Sequence, residues 1–186
     1  MKPNVSTYRL FGHRDMLRDA RTLAPLAAHV VGRAVPGRMP SVQITLTTPQ
    51  GLAELAVGAE IALTGAVTSR ARNRAVTATA RQARKSAGRA VPLPGDKVLI
   101  LLNVRQHRTR EDVAVTLVHE LTHAMQFSRP GVRERIITDL RDDFGIHPQP
   151  RRAAREHARR LRDEEREAYA AEHLAALITD PAALAA

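Results

Sequence analysis

Three stretches decide the fold: the run Lys97-Val98-Leu99-Ile100-Leu101-Leu102-Asn103, the quartet Thr109-Arg110-Glu111-Asp112, and the segment Val113-Ala114-Val115-Thr116-Leu117-Val118-His119-Glu120-Leu121-Thr122-His123-Ala124-Met125. The first is a continuous apolar run of strand length, as a strand buried on both faces requires. The second fits a capping box. The Thr109 hydroxyl satisfies a backbone N–H of a new helix, and Asp112 sits in its first turn. The spacing predicts a helix from there through His119 to about Phe127, stopped by Arg129-Pro130-Gly131. Asp112, Thr116, His119, Glu120 and His123 form one polar stripe on that helix, which is otherwise apolar. Such a helix is buried, with its polar stripe turned to a cleft. Two imidazoles and a carboxylate buried without a partner would be costly, so the stripe calls for one.

His119-Glu120-Leu121-Thr122-His123 has the spacing H-E-x-x-H. Residues four apart on a helix lie about 40° from each other, so both imidazoles reach one ion. Glu120 points to the side, near enough to take a proton from a water activated at that ion without ligating it. The chain has no cysteine. Disulfides, thiolate zinc sites, iron–sulfur clusters and cysteine nucleophiles are therefore excluded, and a further ligand must be histidine or carboxylate.

These residues resemble the zincin metalloproteases, from the strand at Val98 to the C-terminal helix. The metzincin extension fails, because Gln126 and Arg129 stand where that pattern has Gly and His. Asp163-Glu164-Glu165-Arg166-Glu167-Ala168-Tyr169 instead resembles the E-x-x-A pattern of small gluzincins, and is most similar to that of the ImmA/IrrE-type proteases. The resemblance implies a small mixed sheet packed against the motif helix and a C-terminal helix. It also implies Zn2+ held by His119, His123 and Glu165, with Glu120 as general base. In the family the strand before the motif helix lines the cleft and pairs with substrate, a role for Val98–Asn103 or its neighbour. Ala168 would give close packing, whereas Tyr169 replaces an Asp or Asn that would hydrogen-bond a metal-binding His.

Angular reasoning leaves the third ligand open. The apolar stripe Leu161, Ala168, Ala171, Ala175 is centred nearest Glu164, with Glu165 and Glu167 on its flanks. Glu164, Glu167 and His147 remain alternatives. His107 and Arg108 are candidates to face the cleft, and Tyr8 and Tyr169 are the phenols available to an oxyanion. His13, His29, His157 and His173 read as surface or helix-packing residues.

The 186 residues carry a net charge of +10, mostly as arginine, with 3% aromatic residues and no tryptophan. The core must then be aliphatic and alanine-rich. The excess charge admits nucleic acid or an acidic partner, or reflects only an arginine-rich composition. No run approaches the roughly 18 apolar residues of a membrane span, and the N-terminus does not read as a signal peptide, so the expected location is cytoplasmic.

Along the chain, a helix is predicted over 14–34, a strand over Val42–Leu46, a short helix over Leu52–Val57 and a strand over Glu60–Val67. Residues 69–95 read as a basic segment, either a mobile loop or an exposed helix, closed by Pro92, Pro94 and Gly95. Helices follow over Val132–Phe144 and Arg151–Ile178. The expectation is one α+β metallopeptidase domain over 1–186, acting on a specific protein or peptide. The alternatives are a non-catalytic binding protein on the same scaffold, or a basic nucleic-acid-binding domain.

Overall fold

The computed structural model describes residues 3–65 and 67–180 and is α+β. In chain order the elements are β1 (Asn4–Thr7), α1 (Arg14–Ala34), β2 (Ser41–Thr47), α2 (Pro49–Thr64), α3 (Ser69–Ala83), β3 (Gly88–Leu93), β4 (Lys97–Asn103), α4 (Arg110–Gln126), α5 (Val132–Asp143), α6 (Arg151–Ala171) and α7 (Ala176–Thr179). A 3₁₀ turn over Val104–Gln106 joins β4 to α4, and another over Glu172–Ala175 joins α6 to α7. No helix among the described residues is long and apolar enough to cross a membrane.

The sheet is mixed, with strand order β1-β2-β4-β3. β1, β2 and β4 are parallel, pairing Ile44 with both Val5 and Ile100, and β3 joins β4 antiparallel. β4 is thus an inner strand covered on both faces, which is why its sequence is apolar without alternation. Val98, Ile100 and Leu102 join the core formed with α1 and α4. Leu99 and Leu101 point the other way, into a smaller cluster with Leu52, Ala56 and Ala59 of α2. The α1 and α4 layer is built largely from Ala20, Leu23, Ala24, Ala27 and Val31 against Ala114, Leu117, Leu121 and Ala124, all fully buried. Small side chains let the two helices approach closely and fill the core without aromatics.

β3 forms the edge beside the motif helix. Asn103 N–H donates to Ala87 O at 2.8 Å, which makes that pair hydrogen-bonded across the ladder. Alternation along an antiparallel pair then turns the backbone groups of Gly88, Ala90 and Pro92 away from β4. Pro92 lacks an N–H and is tolerated because it lies on an edge strand.

Several local expectations change. β1 and β3 were not anticipated: β1 is a short edge strand, and β3 contains Gly and Pro, which strands disfavour. Residues 69–95 form α3 and then β3, where a loop was the alternative. Thr68 caps α3, accepting from Ala71 N–H at 3.2 Å. The short helix at Leu52–Val57 is extended into α2, and the strand expected over Glu60–Val67 is absent at 60–64, which are helical (Ala66 lies outside the described residues). Pro49 opens α2 and Thr48 caps it, and burial of Leu52, Ala53, Ala56, Val57, Ala59 and Glu60 keeps helical spacing. The long C-terminal helix is interrupted at Glu172, where the 3₁₀ turn begins.

Candidate metal centre

The capping box of α4 forms as expected. Thr109 Oγ1 accepts from Asp112 N–H at 3.1 Å, and Asp112 Oδ2 accepts from the Thr109 and Arg108 N–H groups at 3.0 and 2.7 Å. These backbone donors hold the Asp112 carboxyl below the ordinary range. The helix so started is fully buried at Ala114, Leu117, Val118, Leu121 and Ala124. Its polar stripe lines a cleft of about 760 Å³ bounded by β3 on one side and by α5 and α6 on the other.

In that cleft His119 and His123 present their Nε2 atoms to each other at 3.2 Å. Glu165, from α6, brings Oε2 to 3.7 Å from His119 Nε2 and Oε1 to 3.4 Å from His123 Nε2. These residues form the one group of three metal-ligand side chains among the described residues, with a donor atom of each within 4.8 Å of the others. Glu164 and Glu167, the alternative ligands, are spent elsewhere. Glu164 pairs with Arg135, and Glu167 accepts from Arg129 at 2.6 and 2.7 Å. His147 is exposed after α5 and does not line the cleft.

The two Nδ1 atoms settle which nitrogen is free. Gln126 Nε2 donates to Glu164 O at 2.9 Å and Glu167 Oε2 at 3.0 Å, both acceptors. Its Oε1 must therefore face His123 Nδ1 at 2.8 Å, and that nitrogen carries the proton. Glu172 Oε1 plays the same part at His119 Nδ1, 2.9 Å away. Both Nε2 lone pairs are left pointing into the cleft, beside a carboxylate. A tetrahedral ion at about 2.0–2.1 Å from two nitrogens separates them by about 3.3 Å. The observed spacing fits, so this donor set could hold a metal ion. Burial opposes protonation of His119, but the Glu165, Glu120 and Glu172 carboxylates outweigh it and raise its pKa. Glu165 is correspondingly lowered, first by the neighbouring His119 imidazole. A proton and a metal ion compete for one position.

Glu120 is only 5% exposed and stands beside this set. Burial pushes its carboxyl up, partly offset by His123, His119 and the backbone N–H of Ala90 in β3. A raised carboxyl suits a group that must take and return a proton near neutral pH. Tyr169 lies 64% exposed at the cleft, its ring edge-to-face with His119 at 4.9 Å between centroids. Tyr8, the other phenol, is taken up by Glu54 at 3.2 Å and does not line the cleft. Ala168 is fully buried where α6 meets α4.

His107 does not face the cleft. It is buried, donating from Nδ1 to Asn103 O at 2.8 Å and accepting at Nε2 from Thr116 Oγ1 at 3.0 Å, which ties β4 to α4. Arg108 is exposed and likewise outside the cleft lining. His157 pairs with Asp139 at 2.6 Å, and His13, His29 and His173 are exposed. Sequence reasoning missed Glu172, Gln126 and the β3 edge. Glu172 was detectable in principle, two helical turns after Glu165 on the same face, and Gln126 lies one turn after His123. Compared with known proteins, the chain matches no family model, no curated protein and no solved structure.

Proposed function

We propose that the chain is a zinc-dependent peptidase of minimal gluzincin type, in which His119, His123 and Glu165 hold the metal and Glu120 is the general base. The observation that carries this reading is the pairing of a three-donor set with a buried carboxylate that is not one of the donors. A structural metal site has no use for such a base, whereas hydrolysis needs one. Zinc, when bound, lowers the pKa of water and polarises the scissile carbonyl. Glu120 takes a proton from the attacking water and delivers it to the leaving amine nitrogen, ending the cycle ionised as it began. Gln126 and Glu172 orient the imidazoles and place the proton of each neutral ring on Nδ1. Along the edge of β3 the Ala90 N–H faces Glu120 and Gly88 O accepts from Ser86 Oγ at 2.7 Å. That leaves the Gly88 N–H and the Ala90 carbonyl to meet an extended substrate backbone. Tyr169 is the phenol in reach of an oxyanion at this cleft.

Elemental mass spectrometry of purified wild type, His123→Ala and Glu120→Gln tests the assignment. About one zinc per chain is expected in wild type and Glu120→Gln, with loss in His123→Ala. Peptide hydrolysis should fall about 10²–10⁴-fold in Glu120→Gln. Wild-type protein that neither retains zinc nor is stabilised by it would remove the reading.

A further inference from the structure

The basic segment ahead of β3 has a geometry of its own. Between Glu60 and Asp96 there is no acidic residue, while Arg70, Arg72, Arg74, Arg81, Arg84, Lys85 and Arg89 all fall there. On α3, Arg70, Arg74 and Arg81 recur at separations of four and seven, and Arg84 continues the row at the C-cap, so the four lie along one face. The row is about 21 Å long at 1.5 Å per residue. All four side chains are exposed, and none makes an ion pair among the described residues.

Some arginines on other helices have local acidic partners. Exposed Arg151, Arg155, Arg159 and Arg162 of α6 make no ion pair among the described residues either, so what sets the α3 row apart is its place beside the cleft. Arg18 pairs with Asp15 on α1, and Arg160 and Arg166 pair with Glu156 and Asp163 on α6. α3 has no such partners, and it places Arg70, Arg72 and Arg74 toward its N-terminal end, where the helix dipole disfavours cations. No ion pair among the described residues offsets the repulsion along the row and against the dipole.

The row also leads somewhere. Gln82, Lys85 and Ser86, at its C-terminal end, line the same cleft as His119 and Glu120. Gln106 Nε2 donates to Arg84 O at 2.6 Å and Asn103 Nδ2 to Ala83 O at 2.7 Å, which anchors this end of α3 to the end of β4. The wall across the cleft carries Glu164, Glu165 and Glu172. Lys85 and Arg89 are the cations on the side from which α3 approaches, and Arg135 in the opposite wall is paired with Glu164.

We propose that the exposed arginine row of α3 docks an acidic polypeptide segment and leads it toward the cleft, so that the substrate is a protein with an acidic stretch flanking the scissile bond. This rests on the peptidase reading. The position of the row favours a polypeptide over nucleic acid, because it runs to the rim of a cleft where the Gly88 N–H and Ala90 carbonyl of the β3 edge can meet an extended peptide backbone. Charge complementarity of this kind sets partner choice and association rate.

The test uses full-length, zinc-free protein and a fluorescein-labelled peptide of about twelve residues, enough to span the row and reach the cleft when extended. One half is Asp/Glu-rich and the other apolar with a benzophenone. An isosteric Asn/Gln peptide and a short DNA duplex serve as comparisons. The acidic peptide should bind with salt-sensitive affinity, at least about tenfold weaker in R70E/R74E/R81E and less weakened in R70Q/R74Q/R81Q. Circular dichroism should show both variants folded, since the substituted side chains are exposed. The benzophenone should label residues of α4 or α6 that line the cleft. Absence of binding, binding indifferent to the triple substitution, labelling remote from the cleft, or tighter binding of the duplex through these arginines would each overturn the proposal. Zinc uptake is measured separately, so a protein that captures the peptide in this way but binds no zinc when zinc is added sinks the peptidase reading alone.

Discussion

Gly88 lies so close to Glu120 that a Cβ built on it would stand 2.8 Å from Oε1 and 2.9 Å from Cγ, with Thr116 Cγ2 also at 2.8 Å. The edge strand can approach the motif helix only because this position has no side chain. Gly88→Ala should therefore push Glu120 out of place, costing about 1–3 kcal/mol of stability as an overpacked core substitution does. Zinc content should be unchanged, while any hydrolysis falls. Gly58→Ala is the control, since a Cβ there meets nothing within 4 Å and the residue lies within α2. It should be neutral or stabilise by up to about 1 kcal/mol, read by chemical denaturation.

Glu172 and Gln126 make the imidazole tautomers a property of the fold. Glu172→Ala should weaken zinc binding about 10–100-fold in a competitive chelator titration. Glu172→Gln, which keeps an oxygen acceptor for His119 Nδ1, should lose less. Equal losses in the two variants would show that the orienting hydrogen bond is not what matters at Glu172.

Glu164 differs from its neighbour Glu165 by pairing with Arg135, which is 7% exposed. Removing one partner of a buried pair leaves an uncompensated charge, so Glu164→Ala should cost about 3 kcal/mol or more. Arg166→Ala, which breaks an exposed pair with Asp163, should cost less than about 1 kcal/mol. Denaturant midpoints at constant m-value distinguish them.

His107 supplies a pH dependence away from the candidate metal centre. Burial lowers its pKa, against smaller opposing effects from Asn103 O and Asp112. The unfolded chain then takes up the proton first, near the ordinary histidine value of about 6.5. The stability this group contributes is fully present above that value and is lost as pH falls through it toward the depressed folded pKa. Thermal unfolding of zinc-free protein should show a loss between about pH 7 and 5 that is shallower in His107→Gln. Parallel curves for the two proteins would contradict the assignment.

Much of this was legible before folding was considered. β4 and α4 were readable because their signals are local: an apolar run, a capping box, and a polar stripe with period 3.6. α2 was half read, since Gly58 and the β-branched and apolar residues after it resemble a strand until burial of Ala59 and Glu60 against the sheet is known. β3 was not readable, because Gly88 and Pro92 argue against a strand wherever the edge position and the contact with Glu120 are unknown.

The sequence alone determined that His119, Glu120 and His123 share one helix face, because four residues of α-helix impose that spacing whatever surrounds them. It also ruled out thiolate chemistry, by containing no cysteine. Only the tertiary structure brings Glu165, rather than Glu164 or Glu167, beside the two imidazoles, engaging Glu164 with Arg135 and Glu167 with Arg129 and Gln126. Only it recruited Glu172 to His119. Those choices depend on how α4, α5 and α6 cross, and contacts between residues distant in sequence leave no periodic signal in the chain that makes them.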